Sequence, residues 1–384
     1  MTFSAELTNT TLGVVSQPPD IEAGTLTIYQ LYDIGDEIDL NLAQSCLAET
    51  KAYRSIPPRV RQSESIQIAQ PPLRVELGTF ALLLPGMSLN GTLRASIYDL
   101  GAVAIAAEVS LPQLTSWATV ADLLGDTLDP LEVLLPRFLS ALEELERILQ
   151  GAITLPQRSA IVEDYRVIIV ERLAGGNNNI AALSEHPLVK ASLLGEQRLL
   201  SHSAMGLIVS MSYYPNDLAL LSWNGALLIE PEPLAAATAV ALIEFANVQL
   251  LLMRTYDAEL DTQLPQMYQR IAREQQRFEL PLVRRYSQLL HDVQRLVAEV
   301  TQVTERVDNA LKVTDDVYWN RLYSSLLNVL RVDVWRSGVE HKLALIRETY
   351  SMLHAEADAE RASALEWTVV LLILFEIVMA LLRH

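Results

Sequence analysis

The stretch Ala364–Leu382, ALEWTVVLLILFEIVMALL, decides the architecture of this chain. Neither Pro nor Gly interrupts it, and Leu, Ile and Val dominate. At about 1.5 Å per residue, a helix of this length reaches across a hydrocarbon core of roughly 30 Å. The charged segment Glu356–Arg361, EADAER, marks its upstream edge. The reading is a single transmembrane helix acting as a tail anchor, with Leu365, Glu366 and Trp367 at the near interface and Arg383 beyond the far end. A buried helix of a soluble core is the alternative that length alone leaves open. Glu376 falls near the middle, where an acid costs about 2.5 to 3.5 kcal/mol on insertion scales. It is therefore expected to be protonated, or paired with Arg383 or a neighbouring protomer, or to line a path.

Upstream, Leu282, Tyr286, Leu289, Val293, Leu296, Val300, Val303 and Val307 follow one another at alternating spacings of four and three. That repeat is a coiled-coil seam, with Leu mostly at d and Val mostly at a. Thr314–Asp316 breaks the pattern and offers N-caps for a second arm, Val317–Arg361. In that arm Leu322, Leu326 and Val329 hold the heptad, and Leu343, Ile346, Tyr350 and Leu353 resume it. Asp333, Arg336 and Glu340 intervene, with Gly338 nearby. A short break between two helices favours an antiparallel hairpin, with Asp315–Leu382 expected as one continuous helix. Before these arms, Ala235–Leu264 carries Leu242, Phe245, Ala246, Met253, Tyr256 and Leu260 as one stripe at helical spacing.

The first 233 residues alternate between the two periods. Strands are expected from Thr25, over Leu73–Leu84, as two segments within Thr92–Val109, and over Glu163–Leu173. Short helices are expected after Asp36 or Asp39, with Ile38, Leu42 and Leu47 on one face, over Pro112–Leu124, and after Asp129-Pro130, where Pro136 is a kink or a boundary. Leu188–Met211 reads as helix, and Asp217–Glu230 as a hairpin turning on Asn224-Gly225. The fold class is α+β. A mixed α/β body spans 1–233, a core helix and first coiled-coil arm 234–313, a second arm 314–363, and the membrane helix 364–382.

Composition narrows the function. Of 384 residues, half are hydrophobic, and 47 acidic against 29 basic side chains leave a net charge of -18. So acidic a surface repels phosphate backbones, so direct nucleic-acid binding is not expected. One cysteine, Cys46, rules out an intrachain disulfide and a cysteine-cluster metal site. The opening residues read as neither a signal peptide nor a basic transit segment, so the body is expected in the compartment of synthesis.

Four segments together resemble one family: YDLGAVAI (Tyr98–Ile105), Leu242–Asp261, WNRLY (Trp319–Tyr323) and Ala364–Val378. The chain is similar to bacterial members of the family required for meiotic nuclear division. The resemblance implies an α/β body, a helical arm and a C-terminal membrane helix, in an oligomeric protein without established catalytic activity. It brings no catalytic residues to transfer. The missing transit segment and the acidic body depart from its mitochondrial members.

Chemical motifs are sparse. No glycine-rich phosphate loop occurs, and the six histidines show no HExxH pairing. Ser201-His202-Ser203 lacks a nucleophile elbow. Asp257 and Asp261 share a helical face at i, i+4, which suits either a metal or a basic partner. No cofactor is expected. The leading expectation is a non-enzymatic, membrane-anchored oligomeric scaffold in the inner (cytoplasmic) membrane, presenting a cytoplasmic body to a protein partner. An oligomeric pore using Glu376 and a membrane-tethered hydrolase with an unrecognised acidic site are the alternatives.

Overall fold

The structure, a computed structural model, describes residues 17–47, 52–54, 67–68, 70–125, 127–176, 180–275, 297–298, 301, 311–312 and 317–382. In chain order they form β1 (Ile21–Asp33), β2 (Glu37–Ile38), α1 (Leu40–Cys46), β3 (Ala52–Arg54), β4 (Gln67–Ile68), β5 (Leu73–Leu84), β6 (Met87–Ile97) and β7 (Ala102–Ser110). Next come α2 (Trp117–Leu124), α3 (Pro130–Leu149), β8 (Ile153–Thr154), β9 (Val162–Leu173), α4 (Ile180–Ser184), α5 (Pro187–Leu193) and α6 (His202–Met205). Then follow β10 (Val209–Met211), β11 (Leu218–Leu221), β12 (Gly225–Ile229), α7 (Pro233–Gln275), β13 (Leu311–Lys312), α8 (Val317–Val329) and α9 (Val332–Leu382).

Nine strands make one sheet in the order β10-β11-β12-β9-β1-β7-β6-β5-β3. All its pairings are antiparallel except β12 on β9. β1 lies at the centre because both of its faces are apolar. Tyr29 and Leu31 join the core on one side, Leu26, Ile28 and Tyr32 the core on the other, and every residue from Leu26 to Asp33 is buried. Helices cover both faces. Residues of α1 to α5 pack on one, including Leu134, Phe138, Leu142, Leu145 and Leu149 at spacings of four and three along α3. On the other face lie α7, α8 and the first half of α9. The molecule is thus a mixed α/β fold, with the sheet in its N-terminal half and long helices in its C-terminal half.

Several expectations change. Pro136 does not bound a helix but lies inside α3, which runs through to Leu149. Leu42 of α1 is exposed, and Leu40, Ala43 and Leu47 form the buried side instead. The helix expected from Pro112 starts only at Trp117, where the Ser116 side chain accepts from the N–H of Thr119. Leu188–Met211 is not one helix but α5, α6 and β10. Gly195 (φ 70) ends the first of them, packed so closely on Gly125 that a Cβ would lie 2.4 Å from the Gly125 Cα. The β11–β12 hairpin turns on Trp223-Asn224, one residue earlier than expected. Neither residue has a positive φ, so the turn is not of the primed type, and Gly225 starts the strand.

The C-terminal helices differ more. α7 does not present a single stripe, because every residue from Leu242 to Met253 is buried. Between Pro233 and Gln269 it is long and apolar enough by composition to cross a bilayer, yet nearly all of its most apolar 18 residues lie inside the fold. The continuous helix expected over Asp315–Leu382 is broken at Leu330-Arg331, where Arg331 takes φ 52. α8 packs into the body through Trp319, Leu322, Tyr323 and Leu326. In α9 the buried line runs Val332, Val339, Leu343 and Ile346 rather than through Asp333, Arg336 and Glu340. α9 runs parallel to α7, since Arg254 stacks over Trp335 while Asp261 meets Lys342. Gly338 lies at the closest approach, where a Cβ would come within 2.9 Å of Asp257 Oδ1. The seam residues Leu282, Tyr286, Leu289, Val293, Leu296, Val300, Val303 and Val307 lie outside the described residues, as do Thr314–Asp316.

Candidate functional site

α7 carries one acid within its apolar run, Glu244, which is 1% exposed. The sheet beneath supplies its partners. Tyr98 Oη donates to Glu244 Oε1 at 2.7 Å and Arg94 Nη1 to Oε2 at 3.3 Å. Arg94 also donates through Nε to Glu108 Oε1 at 2.6 Å and through Nη2 to Tyr29 Oη at 3.0 Å. β7 presents Ala104 and Ala106 on this face, small residues over which α7 can approach. Burial pushes the Glu244 carboxyl up, but the guanidiniums of Arg94 and Arg74 and the Tyr98 hydroxyl outweigh it and hold it below the usual range. Burial opposes the charge on Arg94, which Tyr29, Glu244 and Glu108 more than restore. Both tyrosines are pushed up by burial and stay neutral. The core therefore contains a charged pair with each partner hydrogen-bonded, the condition under which a buried pair is tolerated.

Glu108 links this network to the surface. With Thr25, Thr79, Asn90, Thr92 and Ser110 it lines an open depression of about 650 Å³ on the sheet. The depression offers hydroxyls, an amide and one carboxylate, groups that can hydrogen-bond a polar surface.

The acids singled out on α7 have a basic partner. Lys342 Nζ reaches Asp257 Oδ1 at 2.8 Å and Asp261 Oδ1 at 2.5 Å, tying α9 to α7. Among the described residues, no group of three His, Cys, Asp or Glu side chains is arranged to hold a metal ion. Ser201 caps α6 by accepting from the N–H of Ala204 at 3.2 Å, and Asp39 caps α1.

Asp33, at the end of β1, is 7% exposed, and burial pushes it up to about 7. Asp36 and Glu259 add to the rise, while the N–H of Gly35 and the Thr255 hydroxyl oppose it. The folded protein thus keeps a proton that the unfolded chain releases near pH 4. Stability falls as pH rises from about 4 to about 7 and stays lower above that. Asp33→Asn should be more stable than the parent at pH 8 by roughly 2 to 4 kcal/mol, with the difference gone at pH 4. Urea unfolding at the two pH values measures it; an equal difference at both would contradict this origin.

Of the residues expected in a membrane helix, Leu365, Glu366, Trp367 and Glu376 all lie exposed on the distal part of α9, and Arg383 lies outside the described residues. Sequence reasoning missed the Glu244 network. Its signal was present as a lone acid, followed by Asn247 and Gln249, inside an otherwise apolar helix. The partners on β6 and β7 lie more than 130 residues away in the chain.

A protein-family model described as "Uncharacterized protein MJ0711, N-terminal domain" matches residues 23–235, which hold the large sheet and the helices up to the first turn of α7. The uncharacterized protein MJ0711 of Methanocaldococcus jannaschii is 28% identical over 174 residues, covering 45% of this chain and 52% of that protein. The chain thus spans about half the length of this relative. No solved structure matches the chain. The family match covers more than half of the chain, and the protein belongs to the family defined by the N-terminal domain of the uncharacterized protein MJ0711.

Proposed function

We propose that this protein is a non-enzymatic, membrane-anchored tether that holds its α/β body beside a bilayer for a protein partner. One observation carries the reading. Between Leu365 and Met379, twelve large apolar side chains are each 46% to 67% exposed, on all sides of α9. A helix that is apolar all round needs non-aqueous surroundings, and leaving these side chains in water forgoes on the order of 20 kcal/mol. α7 is similarly apolar but finds those surroundings within the fold. α9 runs without a break from Ile346, buried in the body, to this apolar end. At about 1.5 Å per residue it sets the membrane roughly 30 Å from that core.

On this reading the body lies on the cytoplasmic side of the inner membrane, and protomers associate through the heptad stretch that includes Leu289 and Leu296. The resemblance to the family required for meiotic nuclear division supports the same arrangement. In cell fractionation, the full chain should resist alkaline carbonate extraction, and a chain ending before Ala364 should be soluble. Release of the full chain by carbonate would overturn the anchor. A second reading, an oligomeric pore, is favoured only by Glu376 within the apolar run. Ion flux in liposomes that depends on Glu376 would select it.

A further inference from the structure

Far from the Glu244 network, four elements converge on a cavity of about 290 Å³. α4 contributes Ser184, β10 and the turn after it Ser210, Ser212 and Tyr214, the entry to β11 Asp217, and α8 Arg321. The polar groups there fall into two sets. Asp217 is buried, with one carboxylate oxygen accepting the N–H of Tyr213 at 2.7 Å and the other that of Tyr214 at 2.9 Å. The Ser184 hydroxyl donates to the Ala181 carbonyl at 2.8 Å. By contrast, the side chains of Arg321, Ser212 and Tyr214, all exposed, and of the half-buried Ser210 face solvent at the rim with no hydrogen-bond partner among the described residues. Some arginines of this acidic chain, among them Arg94, Arg158, Arg166 and Arg254, are held by carboxylates.

We propose that this cavity binds a phosphate group, either as the free ion or as the monoester of a small ligand. A guanidinium offers its N–H groups as a planar fork that fits two oxygens of an oxyanion, and its charge strengthens those bonds. Three hydroxyls then remain, each able to donate one more hydrogen bond. A tetrahedral phosphate has oxygens enough for all of them, whereas a carboxylate, with two, leaves donors unfilled. Both Asp217 oxygens already accept N–H groups, which hold the Tyr213–Asp217 turn against the cavity. The net charge of -18 opposes every anion at long range. Affinity must therefore come from these local donors and is expected on the order of 1 mM.

Calorimetric titration of the full chain in detergent, at constant ionic strength, tests the assignment with inorganic phosphate, phenyl phosphate and acetate as probes. Saturable phosphate binding is expected, about tenfold weaker in Arg321→Gln and about threefold weaker in Ser210→Ala/Ser212→Ala. Arg198→Gln, which removes an arginine outside the cavity lining, should leave it unchanged. Phenyl phosphate binding tighter than inorganic phosphate would assign the monoester, and the reverse the free ion. Thermal melts check that each variant is folded. Equal phosphate affinity in the parent and Arg321→Gln would overturn the proposal. So would acetate binding as tightly as phosphate, or no saturation at about 50 mM phosphate.

Discussion

Arg94→Met will destabilise the body by roughly 3 to 5 kcal/mol. The substitution keeps much of the side chain's volume but leaves Glu244 fully buried with its nearest cation gone. Tyr98 still donates to one carboxylate oxygen, yet the charge has lost the partner that offset its desolvation. Glu108 is part-exposed and can turn to water, so most of the penalty falls on Glu244. The paired variant Arg94→Met/Glu244→Leu removes both charges and should recover most of the loss, since a well-packed apolar pair can replace a buried ion pair at little cost. Urea unfolding of the single and double variants measures this coupling. A single variant within about 1 kcal/mol of the parent, or a double variant no better than the single, would show that the pair does not hold α7 on the sheet.

On the anchoring proposed above, Leu371→Lys combined with Leu374→Lys will release the protein from the membrane while leaving its body folded. Both positions lie in the middle of the exposed apolar run of α9, about equally far from its ends. Each lysine near the centre of a bilayer costs about 2.5 to 3.5 kcal/mol. Together they shift the partition by roughly 5 to 7 kcal/mol, on the order of ten-thousandfold or more. The matched control is Leu199→Lys/Leu207→Lys, two exposed leucines on the body, which should change neither location nor stability appreciably. Carbonate extraction and near-ultraviolet circular dichroism report location and fold separately. Retention of the doubly charged helix in the membrane fraction would mean that something other than lipid surrounds it.

Elements whose period is carried by their own residues were legible. β5 has the bounds read from its sequence, and β9 begins one residue earlier, because alternating or continuous apolar residues suit only one backbone geometry there. α3 was legible from Asp129-Pro130 onward for the same reason. Misreadings fell where a distant group overrides the local signal. Asn224-Gly225 suits a two-residue turn by chemistry. Gly225 instead pairs in the strand beside β9, so close that a Cβ would lie 2.7 Å from the Arg166 carbonyl oxygen. Leu188–Met211 has helical spacing, but the Gly125–Gly195 contact ends the helix, and pairing with β11 makes the last three residues a strand.

The sharpest limit is set by two similar stretches. LIEFANVQLLLM, from Leu242 to Met253, and LILFEIVMALL, from Leu372 to Leu382, are both apolar helices interrupted by one acid. The sequence determines that each is a helix too apolar to face water and that each acid needs some accommodation. It does not determine what surrounds them. Tertiary structure decides that for Glu244 by bringing Arg94 and Tyr98 to it from about 150 residues away, so that α7 becomes the central core helix. Around Leu372–Met379 the described residues bring up no such cover, and the side chains stay exposed along α9. Hydrophobicity is a property of the residues themselves. Burial depends on which other residues arrive, and strand pairing across the chain sets that.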